Sequence, residues 1–203
     1  MKSTPSLRAL VAAVGLAGLI PIAMAMDAAE KAAVCAGCHG PNGRSAVPDN
    51  PILAAQYADY LSNALQAYIS GERDNGIMKT MAERLSIEDR QDITAYYAAQ
   101  PPYQSQAQAA GDAVRGAGQV AVCSACHGPT GHSTNSAFPR LAGQHAAYLS
   151  KALKGYRSGA RSGSAMLSTM TETLSDQDIE DISAYYAAQP ASDTTGQIKE
   201  NAQ

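Results

Sequence analysis

Between Gln56 and Ser70 the apolar side chains fall at Tyr57, Tyr60, Leu61, Leu65 and Tyr68. That spacing of three and four lays one stripe along a helix, and Gly71 supplies the stop. The Ala-rich stretch Asp27–His39 predicts a second helix, closed by Gly40-Pro41. Ser86-x-x-Asp89 and Ser175-x-x-Asp178 have the form of capping boxes, with Asp in the Glu/Gln place. Each opens a last helix, and the first of these carries Ile93, Tyr96 and Tyr97 along one side. No stretch alternates as a strand should. The loop from Gly40 to Pro51 is rich in Gly, Pro and Asn, and needs something other than its own backbone ladder to hold it. The expected fold class is all-α.

The pattern is written twice. At an offset of 88, Cys35, Cys38, His39, Gly40 and Pro41 fall on Cys123, Cys126, His127, Gly128 and Pro129. Pro51, Leu53, Gln56, Tyr60, Leu61, Arg73 and Met78 fall on Pro139, Leu141, Gln144, Tyr148, Leu149, Arg161 and Met166. Beyond Met78 the offset becomes 89, so that Met81, Leu85 and "AYYAAQP" at Ala95 meet Met170, Leu174 and "AYYAAQP" at Ala184. The extra residue of the second copy is therefore expected between its two methionines. A tandem duplication follows: one unit at 26–101, a Pro- and Gln-rich linker at 102–111, a second unit at 112–190, and a polar tail at 191–203.

Ahead of both units, Lys2 and Arg8 precede an uncharged run that ends in Ala23-Met24-Ala25. A basic start, a short apolar stretch and an Ala-x-Ala end describe a cleaved export signal at 1–25. The competing reading is a membrane anchor, for which the Pro21-broken run is short. Without Lys2 and Arg8, 13 basic residues face 18 acidic ones, a formal charge of −5 that argues against nucleic-acid binding. There is no Trp and only one Phe. Units of this size and aromatic poverty need a staple, a metal or a cofactor to complete a core.

All four cysteines lie in the repeated phrase, Val34-Cys35-Ala36-Gly37-Cys38-His39 and Val122-Cys123-Ser124-Ala125-Cys126-His127. Redox disulfide chemistry would use the Cys-x-x-Cys pair but has no need of the His. Zinc would need the two pairs to converge from separate repeats. Covalent haem uses everything present: two thiols one helical turn apart form thioethers, and the next residue, His, ligates iron. Two haem c groups are expected, attached at Cys35, Cys38, Cys123 and Cys126, with His39 and His127 as axial ligands.

A second axial ligand separates an electron carrier from an open catalytic iron. Met78 follows His39 by 39 residues, and Met166 follows His127 by 39. These equal spacings select Met78 and Met166, soft thioether ligands that raise the potential. Met81 and Met170 are the alternatives; they keep register with the final helix, as packing residues do. Pro51 and Pro139 lie 12 residues after the histidines, where a carbonyl could take the free ring N–H. Arg73 and Arg161 either pair with haem propionates or stay solvated. His132 and His145 match Arg44 and Tyr57, so they stand outside the shared machinery, as a solvated loop residue and a helix-start residue.

The two Cys-x-x-Cys-His units, "NPILAAQYADYL" and "FPRLAGQHAAYL", a Met before Leu-Ser-x-x-Asp, and the twin "AYYAAQP" ends resemble the cytochrome c4 family over nearly the whole chain after the leader. The resemblance implies two class I cytochrome c domains in contact, with His39/Met78 and His127/Met166 on the irons. It also implies an exported periplasmic protein, soluble or loosely associated with the membrane surface. Such a protein takes electrons from a quinol-cytochrome c reductase, passes them to a terminal oxidase, and acts on no small-molecule substrate of its own. Two departures are visible: Asn50 stands where the second copy has Phe138, and "LAAQ" where it has "LAGQ", so the loop over the first haem should pack differently. The alternatives are a cytochrome subunit of a periplasmic dehydrogenase and a di-haem peroxidase. Ala113–Thr171 holds no acidic residue but contains Arg140, Lys151, Lys154, Arg157 and Arg161, which predicts a basic face for a redox partner.

Overall fold

A computed structural model describes residues 27–193. The expected leader at 1–25 and positions 194–203 of the expected tail lie outside the described residues. Within them the first unit is α1 (Ala28–His39), α2 (Ala58–Ser70), α3 (Gly76–Glu83) and α4 (Ile87–Ala98). The second is α5 (Ala113–Ala117), α6 (Ala121–His127), α7 (Ala146–Ser158), α8 (Ala165–Glu172) and α9 (Asp176–Ala188). Apart from one isolated bridge, no β-structure occurs among the described residues.

Local chemistry fixes the helix ends. Asp27 and Glu30 form a reciprocal capping box on α1, and Ser86/Asp89 and Ser175/Asp178 do the same on α4 and α9. Asp thus serves at the third helical position, each carboxylate also favouring the positive end of its helix. Gln56 and Tyr57, expected inside α2, stay outside it: Tyr57 is its extended N-cap, and Gln56 closes a turn on the Leu53 carbonyl while its side chain reaches Arg140.

Each unit has its own small core. Ala32, Leu61, Ile93 and Tyr97 form the first, with Cys35, Leu53, Tyr60 and Leu85 against it. Val120, Leu149, Ile182 and Tyr186 form the second, with Cys123, Leu141, Leu153 and Leu174 around them. α1 and α2 pack on the terminal helix α4, and α5 and α7 on α9, while α3 and α8 pack on α2 and α7. The second unit departs from the first at its start, where the counterpart of α1 is broken into α5 and α6. Gly116 lets α5 lie directly on α9, since a Cβ there would come 2.1 Å from the Asp181 carbonyl oxygen. Arg115 then reaches Asp181 at 2.7 Å, and together with the Asp112 N–H holds that carboxyl down at about 2.

The two units meet about a pseudo-twofold axis. Arg73 and Arg161, equivalent residues, bridge each other antiparallel at its centre, where Ser162 N–H donates to the Glu72 carbonyl at 2.8 Å. On either side the same contact is made twice. Gln56 donates to the Arg140 carbonyl (3.0 Å) and accepts from its N–H (2.9 Å). Gln144 does the same with Ile52, at 2.9 Å for both bonds. Each glutamine amide thus stands in for a strand, satisfying the backbone N–H and C=O of one residue of the other unit, buried at Ile52 and half-buried at Arg140. The 102–111 segment is no free linker. Ser105 N–H bonds the Gly143 carbonyl at 2.8 Å, and Gln104 bonds both the Ala187 carbonyl and the Ala191 N–H.

Candidate functional site

Both Cys-x-x-Cys-His phrases close a helix. α1 ends at His39 and α6 at His127, and the next residues, Gly40 and Gly128, turn the chain back at φ 74° and 77°. Glycine is needed there: a Cβ on Gly40 would lie 2.3 Å from the Arg44 oxygen, and one on Gly128 2.5 Å from the His132 oxygen. The reversal brings a proline carbonyl to each imidazole. His39 Nδ1–H donates to Pro51 O at 2.9 Å, and His127 Nδ1–H to Pro139 O at 3.0 Å. Each ring is thereby held with Nε2 left over as its electron-pair donor. Burial pushes both imidazoles below the ordinary histidine range, partly opposed by these carbonyls, which keeps the neutral, metal-binding form.

The four thiols are unpaired. Burial pushes Cys35 and Cys123 above the usual thiol range, the opposite of the depressed value a redox-active Cys-x-x-Cys pair uses. Among the described residues no group of three or more His, Cys, Asp or Glu converges, so the two phrases do not build a shared zinc site. What remains in each unit is two thiols one turn apart and an imidazole oriented through its other nitrogen. That donor set fits a thioether-linked c-type haem.

The loops over the histidines differ at the Asn50/Phe138 departure, whereas Ala55 and Gly143 keep the same positive φ and the same bond to the Tyr97 and Tyr186 carbonyls. In the first unit Asn50 Nδ2 donates to the Cys38 carbonyl at 3.0 Å. In the second Ser133 makes the tie, to the Cys126 carbonyl at 2.9 Å, and Phe138 packs edge-on against His127 at 6.0 Å.

The methionines lie on α3 and α8, short helices separate from α4 and α9, so Met81 and Met170 are not extensions of the final helices. Asn75 caps α3 by accepting from Met78 N–H at 3.0 Å, and Ser164 caps α8 by accepting from Leu167 N–H at 3.2 Å. The two caps therefore correspond, and the extra residue of the second unit falls before α8, between Arg161 and Ser164. It does not fall between the methionines, as identity matching suggests. Counted from the caps, Met81 matches Met170, Met78 matches Leu167, and Met166 matches Ile77. Met166 is 47 % exposed and Ile77 72 %, whereas Met78 is half-buried.

Arg73 and Arg161 are not solvated. Both guanidinium groups converge on the Tyr60 hydroxyl, at 3.1 and 3.2 Å. Arg73 also stacks over Tyr60 and Tyr68, and Arg161 over Tyr156. Neither forms an ion pair with a carboxylate among the described residues, and the buried Arg161 Nε has no hydrogen-bond partner. Two half-buried cations without a counter-charge are costly unless an anion joins them. A haem brings two carboxylates.

Of the expected basic face only Lys151 stays exposed without an ion pair among the described residues. Lys154 pairs with Glu180 at 2.6 Å and Arg157 with Asp176, while Arg140 stacks on Tyr57 and Arg161 lies at the interface. Acidic residues of α9, distant in sequence, neutralise the stretch. Two histidines also hold more than their positions foretell. His132 is not a solvated loop residue: its Nε2 meets the Pro190 carbonyl at 2.8 Å. His145 does start α7, yet it is only 1 % exposed, with Nε2–H donating to Ser45 O of the other unit (3.0 Å) and Nδ1 accepting from Ser105 (2.7 Å).

Two helical units of this kind, each ending its first helix in an oriented Cys-x-x-Cys-His, define a tandem c-type cytochrome. The chain matches the Cytochrome c family over residues 27–99 and 113–188. It is 35 % identical over 198 residues to cytochrome c4 of Azotobacter vinelandii, covering 87 % of this chain and 94 % of that one. It is 30 % identical over 210 residues to a thiosulfate dehydrogenase electron acceptor of Thiomonas intermedia, covering 96 % and 97 %. The crystal structure of reduced recombinant cytochrome c4 from Pseudomonas stutzeri matches with a TM-score of 0.70 at 32 % identity, covering 80 % of this chain and 96 % of that one. The chain belongs to the cytochrome c4 family. It is an electron-transfer cytochrome with two c-type haems, and redox proteins are its partners. No helix among the described residues is long and apolar enough to cross a membrane.

Proposed function

We propose that the protein is a periplasmic single-electron shuttle, taking electrons from a quinol-oxidising complex and delivering them to a terminal oxidase. Each haem supplies an iron that changes valence. In this reading Cys35, Cys38, Cys123 and Cys126 anchor the rings, and His39 and His127 present Nε2 to the irons. Met78 and Met166 supply the sulfurs, with Met81 and Met170 as alternatives. The Pro51 and Pro139 carbonyls fix the imidazoles, and Arg73 and Arg161 take the propionates. The observation that carries the reading is the twofold repetition of the His–proline carbonyl bond, which orients both imidazoles as fixed ligands. A sulfur ligand opposite each would close the iron to substrates, so no catalytic role is assigned.

The similarity to a thiosulfate dehydrogenase electron acceptor supports a second reading, in which the same two haems accept electrons from a periplasmic dehydrogenase. Stopped-flow mixing of the oxidised holoprotein with a reduced quinol-cytochrome c reductase, and separately with a thiosulfate-reduced dehydrogenase, distinguishes the two. Reduction at a physiological rate by the reductase is expected. Reduction by the dehydrogenase alone overturns the shuttle in favour of the second reading.

A further inference from the structure

The caps of α3 and α8 set one helix against the other without reference to the methionines. Both helices run for eight residues. Both caps stand 11 residues before the serine that opens the following helix, Asn75 before Ser86 and Ser164 before Ser175. In that register the place of Met78 is taken in α8 by Leu167, which has no lone pair to offer. Met166 precedes it by one residue, about 100° around the helix, at the place of the solvent-facing Ile77. Met170 occupies the place of Met81. The second unit therefore has two thioethers, neither of them where the first unit has Met78. For either to serve as Met78 does, α8 must turn about its axis or give up the Ser164 cap.

We propose that the distal side of the second haem is a binding site for small neutral nitrogen bases, of which imidazole is the simplest, and that the first haem takes them at least tenfold more weakly. The proposal rests on Met78 being the sulfur ligand of the first iron. An exogenous base binds only the fraction of molecules whose internal ligand is off, so its apparent affinity rises in proportion to that fraction. A methionine that reaches the iron only by distorting its helix leaves that fraction larger. The two halves of one molecule, alike in their His–proline bonds, then differ at the opposite face of the ring.

The test is an imidazole titration of the ferric holoprotein, read from the His/Met charge-transfer band and the Soret shift. Two phases are expected, about half the band disappearing at an imidazole concentration at least tenfold lower than the rest. Leu167→Met restores a thioether at the place of Met78 and should weaken the tighter phase roughly tenfold without touching the other. The double exchange Met166→Leu/Leu167→Met should do the same, and serves if the single variant packs poorly. A single phase in wild type, or a tighter phase unmoved by both variants, overturns the proposal. Met78→Ala should abolish the half of the band that resists imidazole. If it leaves the band intact, the ligand assignment of the first haem fails instead, an outcome separate from the first.

Discussion

Gln144→Leu tests whether the two units are locked together by their glutamine amides. The substitution keeps roughly the side-chain volume and removes both polar atoms. It strands the N–H and the C=O of Ile52, a residue only 5 % exposed, which now bond Gln144 at 2.9 Å each, and the buried His145 N–H, which donates to the same amide oxygen at 3.0 Å. Orphaning a buried backbone group costs about 1–3 kcal/mol, so the gross loss over the three groups is about 3–9 kcal/mol. The more apolar leucine returns about 1–2 kcal/mol. A net destabilisation of at least about 1 kcal/mol is expected. Guanidinium unfolding of the holoprotein, followed by far-ultraviolet circular dichroism and by the Soret band, measures it. Gln56→Leu should cost a similar amount, because it strands Arg140 in the same way. The double variant should lose less than the sum, since the first substitution already loosens the shared interface. A loss below about 0.5 kcal/mol for both single variants, the scatter of ordinary surface changes, would refute the lock.

Two further outcomes are expected. Tyr97 Oη donates to the Ala32 carbonyl at 3.1 Å, whereas in the second unit Ser124 takes the equivalent Val120 carbonyl and the buried Tyr186 Oη makes no hydrogen bond. Tyr97→Phe should therefore cost about 1 kcal/mol and Tyr186→Phe close to nothing by thermal unfolding. Burial holds His145 neutral, below its ordinary range, against the smaller opposing effect of the Ser45 carbonyl. The unfolded chain takes up the proton first, so the contribution of His145 is complete above pH about 6.5 and falls away as the pH drops below it. His145→Gln should flatten the stability profile of the holoprotein below pH about 6.5.

The duplication, the haem-binding phrases, the two serine capping boxes and the proline carbonyls are legible in the sequence because each is a local pattern. The contact between the units is not. It is made by glutamine amides and backbone groups 84 to 92 residues apart, and nothing in the periodicity around Gln56 or Gln144 announces a partner. The placement of Arg73 and Arg161 at that contact is hidden for the same reason. The alignment of the methionines goes astray for a different one. Identity matching sets Met166 on Met78 because the letters agree. The residues that fix the register, Asn75 and Ser164, differ from each other while doing the same work as caps. Cap preference, which favours both residue types, is the signal that could have placed the insertion. The basic stretch of the second unit misleads because its counter-charges, Asp176 and Glu180, lie on the next long helix.

The antiparallel crossing of Arg73 and Arg161 has a consequence for how the halves stay in company. A surface that meets its own copy about a twofold axis is what a pair of identical free subunits would use. Such a pair comes apart on dilution. Here the tethered 102–111 segment makes the encounter intramolecular, at an effective concentration no cell supplies. Thinning the solution a thousandfold leaves the separation of the two irons where it was.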